Sequence, residues 1–331
     1  MTKQDTSGAV LSAHNLVKHF PLGGWGKNRR VVRAVDDVTF EVAPGETLGV
    51  VGESGCGKST TARLLVQLLG ADSGEVRFQG HVAGTEMPLK EFRRHVQMVF
   101  QDSYASLNPR MSMLDAIAFG PTVHGVSEAE ARRIARDLLD RVGLDPSRFG
   151  PRYPHELSGG QRQRVNIARA LAFQPEVIVL DEAVSALDKS VEAQVLNLLM
   201  DLKRERNLTY VFISHDLNVV RHVSDRVMVM YLGEVAEIGP TAEMYADPRH
   251  PYTRALLAAM PSLDPDRRTT EAPLSGDPPN PIDPPSGCRF HTRCAEAFGA
   301  CSAQRPSNLR VGAGHYASCH LNDPKMREAA A

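Results

Sequence analysis

The run Gly52-Glu53-Ser54-Gly55-Cys56-Gly57-Lys58-Ser59 has the residue types and spacing to cradle a chain of phosphates. Its glycines let backbone N–H groups curl around anionic oxygens, and a helix opening directly behind them adds its partial positive charge. In such a loop Lys58 reaches the β- and γ-phosphates and the Ser59 hydroxyl ligates magnesium. Cys56 occupies a free position, where an ordinary loop residue is a better reading than a redox switch. The apolar run 177–180 ends in Asp181 and Glu182. One carboxylate at a strand's C-terminal end can hold magnesium opposite Ser59, and the next can polarise an attacking water. Many strands end in acids, so the pair takes its meaning from the phosphate loop. Leu157-Ser158-Gly159-Gly160-Gln161 precedes a helical run. Ser158 suits an N-cap, and the glycines leave N–H groups bare at a positive helix end. A ligand-free cap is the plain reading, but paired glycines weaken a helix start, which favours a second anion site.

Short elements must position these groups. Thr47–Val51 reads as the strand that feeds the phosphate loop, and further apolar runs lie at 96–100, 177–180, 210–213 and 227–231. Runs this short suit strands buried on both faces, as in a parallel sheet. Residues 8–51 read as β segments around a Gly-rich, basic insert at 21–30, and 32–42 alternates loosely. Ser127 with Glu130 forms a capping box ahead of Ile134, Leu138 and Val142. A second helix starts near Ser190, with Val191, Val195, Leu198, Leu199 and Leu202 on one stripe. Alternating strands and helices after residue 47 give an α/β fold. No internal repeat is seen.

Composition bounds the partners. With 331 residues, the length prior gives about two domains. The 38 Lys+Arg and 39 Asp+Glu leave a formal charge of -1, which argues against a nucleic-acid binder. No apolar run approaches a membrane span, the N-terminus lacks the apolar core of an export signal, and the five cysteines then point to a reducing compartment. A cytosolic protein, or one docked on a membrane without entering it, is expected. Residues 261–287 hold eight prolines and read as an extended linker; four of the five cysteines follow, within 288–319.

Gly52–Ser59, Gln101, Leu157–Gln161, Asp181-Glu182, Ser185-Ala186-Leu187-Asp188 and His215 match, in order, the motifs of ABC transporter ATPases, and the resemblance covers about 10–260. The chain further resembles the oligopeptide/dipeptide importer subfamily. That likeness rests on 101–110 (Gln-Asp-Ser-Tyr-Ala-Ser-Leu-Asn-Pro-Arg), 153–161, 250–256 (His-Pro-Tyr-Thr-Arg-Ala-Leu) and the tail beginning at 287–294. Ala183 departs from the proline usual after the Asp-Glu pair, which alters backbone stiffness rather than chemistry.

The resemblance implies an ABC-type core at about 8–240: a mixed sheet, an antiparallel β subdomain, and a helical subdomain at about 101–175. A C-terminal extension over 241–331 follows, with the linker at 261–287. It implies that Gly52, Glu53, Ser54, Gly55, Cys56, Gly57, Lys58, Ser59 and Thr60 bind ATP. Ser59, Asp181 and Gln101 hold magnesium, Glu182 is the general base, and His215 contacts the γ-phosphate. Ser158, Gly159, Gly160 and Gln161 cap the ATP of an opposite subunit, and Asp188 lines that interface. Phe20 takes the place of the adenine-stacking aromatic, a role favoured over that of a core Phe. Implied partners are two permease subunits, a related but distinct second ATPase, and an extracytoplasmic binding protein. The implied location is peripheral, on the cytoplasmic face of the membrane, and the implied cargo is peptide, with nickel chelates or sugars as alternatives. A soluble ABC ATPase of DNA repair or translation would usually carry long coiled-coil insertions or tandem halves, which this chain lacks. A kinase or GTPase would leave the 157–161 motif and His215 unexplained.

Cys288, Cys294, Cys301 and Cys319 are dense for such a chain, and a segment with so little apolar sequence needs a staple. Disulfides do not suit a reducing compartment, which leaves a metal. The spacing lacks Cys-x-x-Cys knuckles, and His291, His315 and His320 could complete a zinc site. The importer resemblance favours a four-iron, four-sulfur cluster over zinc.

Overall fold

Thr47–Val51 (β3), Val177–Asp181 (β7) and Thr209–Ile213 (β8) are buried at every position, as continuous apolar runs between two covering layers must be. In this computed structural model, which describes residues 8–23, 30–260, 276 and 279–328, they form the centre of the main sheet. Val96–Val99 (β6) and Arg226–Tyr231 (β9) complete its parallel part, in the order β9-β3-β8-β7-β6. The five apolar runs of the sequence thus become the five parallel strands, the run at 96–100 stopping one residue short. Glu234–Pro240 (β10) turns back antiparallel to β9.

A separate antiparallel sheet has the order β2-β1-β4-β5, from Leu11–Pro21 (β1), Val31–Val42 (β2), Ser73–Phe78 (β4) and His81–Val82 (β5). Of the insert at 21–30, residues 24–29 lie outside the described residues. The fold is the mixed α/β architecture expected, with an antiparallel β subdomain.

Helix α1 (Lys58–Leu65) follows β3, and α2 (Leu89–His95) leads into β6. A helical unit then interrupts the sheet: α3 (Met113–Val123), α4 (Glu128–Arg141), α5 (Pro146–Phe149) and α6 (Gly159–Leu171). Ser127 caps α4 by accepting from the Glu130 N–H, but the Glu130 carboxylate pairs with Arg133 instead of closing a box. The buried face of α4 is Ala131, Ala135, Leu138 and Leu139, while Ile134 packs at its rim. Leu138 and Val142 of the expected stripe are buried, and the small Ala131 and Ala135 let α4 approach its neighbours closely. Helix α7 (Lys189–Arg206) starts where expected and buries Val195, Leu199 and Leu202. Leu217–Val223 (α8), Thr241–Ala246 (α9) and Pro251–Ala258 (α10) follow the later strands.

The C-terminal segment joins the main sheet. Leu309–Gly312 (β11) pairs with His315–Ala317 (β12), and β12 pairs with β10 through Glu237↔Ala317 and Ile238↔Tyr316. Glu237, fully buried, pairs with His315 at 2.7 Å and accepts from the N–H groups of Arg249 and His250. Burial pushes its carboxyl up, but these partners, His315 foremost, hold it below the usual range. Phe290 packs 5.3 Å from both Tyr231 and Tyr252. Arg289, only 6% exposed, reaches Asp36, Glu234 and the Leu232 carbonyl.

The expected iron–sulfur cluster or zinc is not supported. Among the described residues no group of three or more His, Cys, Asp or Glu side chains is disposed to hold a metal ion. Burial pushes the Cys288 thiol up to about 11 and the Cys319 thiol up to about 12. The histidines offered as alternative ligands have other partners: His291 the Cys288 carbonyl, His315 Glu237, His320 the Gln304 carbonyl. Sheet pairing, aromatic packing and buried ion pairs also tie the segment down. Most of the proline-rich stretch, 261–275 with 277 and 278, lies outside the described residues.

Candidate active site

Four neighbouring parallel strands deliver the chemistry to one edge of the sheet, the usual place for a ligand crevice in such sheets. The phosphate loop leaves the C-terminal end of β3, His215 follows β8, Asp181 and Glu182 end β7, and Gln101 follows β6. Residues far apart in sequence thereby become neighbours.

Two loop glycines have no substitute. Gly52 has φ 149°, and a Cβ there would lie 2.2 Å from the Met230 carbonyl oxygen. Gly57 has φ 110°, and its Cβ would meet the Ala34 carbonyl oxygen at 2.2 Å. Lys58 is buried, its Nζ donating to the carbonyls of Gly52 at 2.7 Å and Glu53 at 3.0 Å. Ser54 and Gly55 are exposed at the tip, and Thr60 lies in the first turn of α1. Cys56 is buried, and burial raises its thiol, as expected of a structural residue rather than a reactive one.

Ser59 Oγ donates to Asp181 Oδ1 at 2.9 Å. Burial raises the Asp181 carboxyl, the Ser59 hydrogen bond opposes this, and the Glu182 charge adds to it. This all-oxygen pair fits magnesium, which takes few protein ligands when phosphates supply the rest. Glu182 Oε2 accepts from Gln101 Nε2 at 3.1 Å and lies 3.4 Å from His215 Nδ1. Its backbone is left-handed, φ 46°, a conformation costing roughly 1–3 kcal/mol for a residue with a side chain. Three hydrogen bonds hold it there: its N–H to the Ile213 carbonyl, and the Ser185 N–H and hydroxyl to its own carbonyl. In this conformation the Glu182 side chain meets Gln101 and His215.

Ser158–Gln161 open helix α6. Ser158 Oγ accepts from the Gln161 N–H, and Gln161 Oε1 accepts from the Ser158 N–H, closing a capping box on α6. A Cβ on Gly160 would lie 2.3 Å from Val191 Cγ1, so close packing on α7 also demands glycine there. Among the described residues no hydrogen bond or ion pair joins this motif to Lys58, Ser59 or Glu182. Asp188 caps α7, accepting from the Val191 N–H at 3.0 Å. Phe20 is half-buried and outside the core, paired across the sheet with Val32, with Lys18 Nζ 5.8 Å from its ring centroid.

Sequence reasoning missed the supports of the loop. The Glu53 N–H donates to the Tyr252 hydroxyl at 3.0 Å, and the Glu53 carboxylate is gripped by Arg293 at 2.8 and 3.1 Å. Tyr252 and Arg293 fall within 250–256 and 287–294, and the charge of Arg293 was the available signal.

A family model described as ABC transporter matches residues 35–185, and one described as Oligopeptide/dipeptide transporter, C-terminal region, matches 236–301. The chain is 51% identical over 323 residues to a probable peptide ABC transporter ATP-binding protein of Sinorhizobium fredii, covering 96% of this chain and 91% of the relative. It is 47% identical over 324 residues to an oligopeptide transport ATP-binding protein of Bacillus subtilis, covering 94% and 97%. Among solved structures, a dimeric ATP-binding cassette in a post-hydrolysis state bound to ADP and Pi superimposes with a TM-score of 0.61 at 29% identity, covering 70% of this chain and 98% of that one.

Proposed function

The chain belongs to the ABC transporter ATP-binding proteins of the oligopeptide/dipeptide type, and from that premise we propose that it is the ATP-hydrolysing subunit of a peptide importer. The observation that carries the reading is the convergence of Lys58, Ser59, Asp181, Gln101, Glu182 and His215 on one edge of the sheet. Lys58 and the loop N–H groups hold the triphosphate. Ser59 and Asp181, with Gln101 nearby, would hold magnesium, which would supply charge neutralisation for the phosphates. Glu182 orients the attacking water and takes its proton, while Gln101 and His215 fix that carboxylate and face the γ-phosphate. Catalysis is then positioning and charge stabilisation.

Ser158–Gln161, standing apart from the phosphate loop, serve the ATP of a second subunit, and Asp188 lies beside them at the dimer seam. Each ATP bridges two chains, so ATP favours the closed dimer and hydrolysis reopens it. The second chain is a related but distinct ATPase, with two permease subunits and an extracytoplasmic binding protein completing the complex. Among the described residues no helix is long and apolar enough to cross a membrane, so attachment runs through the permeases at the cytoplasmic face. The ATPase unit spans about 8–240, with its helical subdomain at 101–175, and the extension spans 241–331. The relatives' names favour peptide over nickel chelates or sugars. The test is reconstitution with the neighbouring permeases and binding protein. Peptide-loaded binding protein should stimulate ATP hydrolysis; stimulation only by another cargo would move the assignment, and none would remove it.

Phe20→Ala should weaken adenine-nucleotide binding by about 1–2 kcal/mol, the scale of one lost stacking contact, and blur selectivity for ATP over GTP. Unchanged affinity and selectivity in a folded variant would make Phe20 a structural residue of β1.

A further inference from the structure

The second residue of the phosphate loop carries a negative charge at a place built to receive anions. Glu53 lies between Gly52 and the loop tip, and its carbonyl is one of the two that accept from Lys58 Nζ. An uncompensated carboxylate there would repel the triphosphate, because charges in a partly desolvated loop interact more strongly than in water. The compensation comes from 240 residues away in sequence. Arg293, its side chain 6% exposed, forks onto both Glu53 oxygens, and its Nη1 also lies 3.4 Å from the Tyr231 hydroxyl. A fork of this kind fixes orientation as well as charge. From α10, the buried Tyr252 accepts the Glu53 N–H, so side chain and backbone of one loop residue are both held by the C-terminal region.

A second arm reaches the other side of the loop. Arg289 donates to the Leu232 carbonyl in the β9–β10 turn. The next residue, Gly233, donates its N–H to the Cys56 carbonyl at 2.8 Å. Phe290, between the two arginines, packs on Tyr231 and Tyr252, which are themselves 4.6 Å apart. The two arginines and the aromatic cluster therefore act as one bracket around residues 53–56.

We infer that Arg293 and Tyr252 are positioning residues for nucleotide binding: the C-terminal segment neutralises Glu53 and holds the phosphate loop open to the triphosphate. The inference rests on the reading of Gly52–Ser59 as the ATP-phosphate loop. It makes the extension part of the nucleotide site, so that displacing the segment lowers ATP affinity while Glu182, Gln101 and His215 stay in place.

The test is a double-mutant cycle on the full chain, titrating a β,γ-imido ATP analogue with magnesium. Arg293→Met should weaken binding about tenfold in the native background. With Glu53→Gln already present, adding Arg293→Met should change affinity less than twofold, because residue 53 then carries no charge to repel the triphosphate. A merely structural arginine would cost as much in both backgrounds. Tyr252→Phe, which removes only the hydroxyl that accepts the Glu53 N–H, should weaken binding about threefold and covers the case in which Arg293→Met misfolds. Equal losses from Arg293→Met in both backgrounds, or unchanged affinity in both Arg293→Met and Tyr252→Phe, would overturn the inference and leave the loop assignment standing. Lys58→Ala serves as the separate check on that assignment. Undiminished binding by that variant would remove loop and bracket together.

Discussion

Glu182→Gln keeps the analogue bound and lowers ATP turnover by roughly 10²–10⁴-fold, the range for loss of a positioned general base. The amide is nearly isosteric, so the left-handed turn and its bonds to Ile213 and Ser185 persist. The amide can still meet Gln101 Nε2 through its oxygen, but it has no charge to offer His215 or the water proton. Ground-state binding depends on Lys58 and the loop, which the substitution leaves alone. The loss therefore falls on kcat rather than on KM. An ATP-dependent, long-lived dimer with the second ATPase should accumulate, because closure no longer leads to hydrolysis. Phosphate release by the reconstituted transporter measures this; near-normal release would exclude Glu182 as the base.

Arg289→Met should lower the unfolding free energy by about 3 kcal/mol, the low end of the range for stripping one partner from a buried ion pair. The low end applies because Asp36 and Glu234 retain 15% and 17% side-chain exposure and Arg305 also lies near Glu234. Burial pushes Asp36 up, and the Arg289 guanidinium foremost, with Arg305 and His19, more than offsets it, holding that carboxyl below the usual range. Burial leaves Glu234 raised even with Arg289 beside it, so removing the arginine exposes two desolvated acids at once. Denaturant melts of the full chain check the shift. A loss below about 0.5 kcal/mol, the scale of an ordinary surface change, would show that β12, the aromatics and the Arg293–Glu53 pair hold the segment without Arg289.

The helical face of α4 shows where sequence pattern stops being sufficient. The expected stripe of Ile134, Leu138 and Val142 is buried at Leu138 and Val142, but Ile134 sits at the rim and Ala131, Ala135 and Leu139 complete the buried face. Periodicity locates a helix, whereas the face it buries depends on how closely its neighbours approach. Gly160 is a similar case, since its spacing suggested an anion site and Val191 supplies a packing requirement as well.

The five parallel strands, the phosphate loop and the acidic pair were determined by local sequence. Each is a short segment whose burial or phosphate-holding geometry follows from its own residues. The C-terminal segment was decided only by the tertiary structure. Its cysteines suggested a metal staple because nothing local revealed that β12 would pair with β10, or that Arg289 and Arg293 would reach Asp36 and Glu53 across 253 and 240 residues. Hydrogen bonding and ion pairing are satisfied by whichever partners the folded sheet brings within reach, and a linear pattern carries no register for partners so distant.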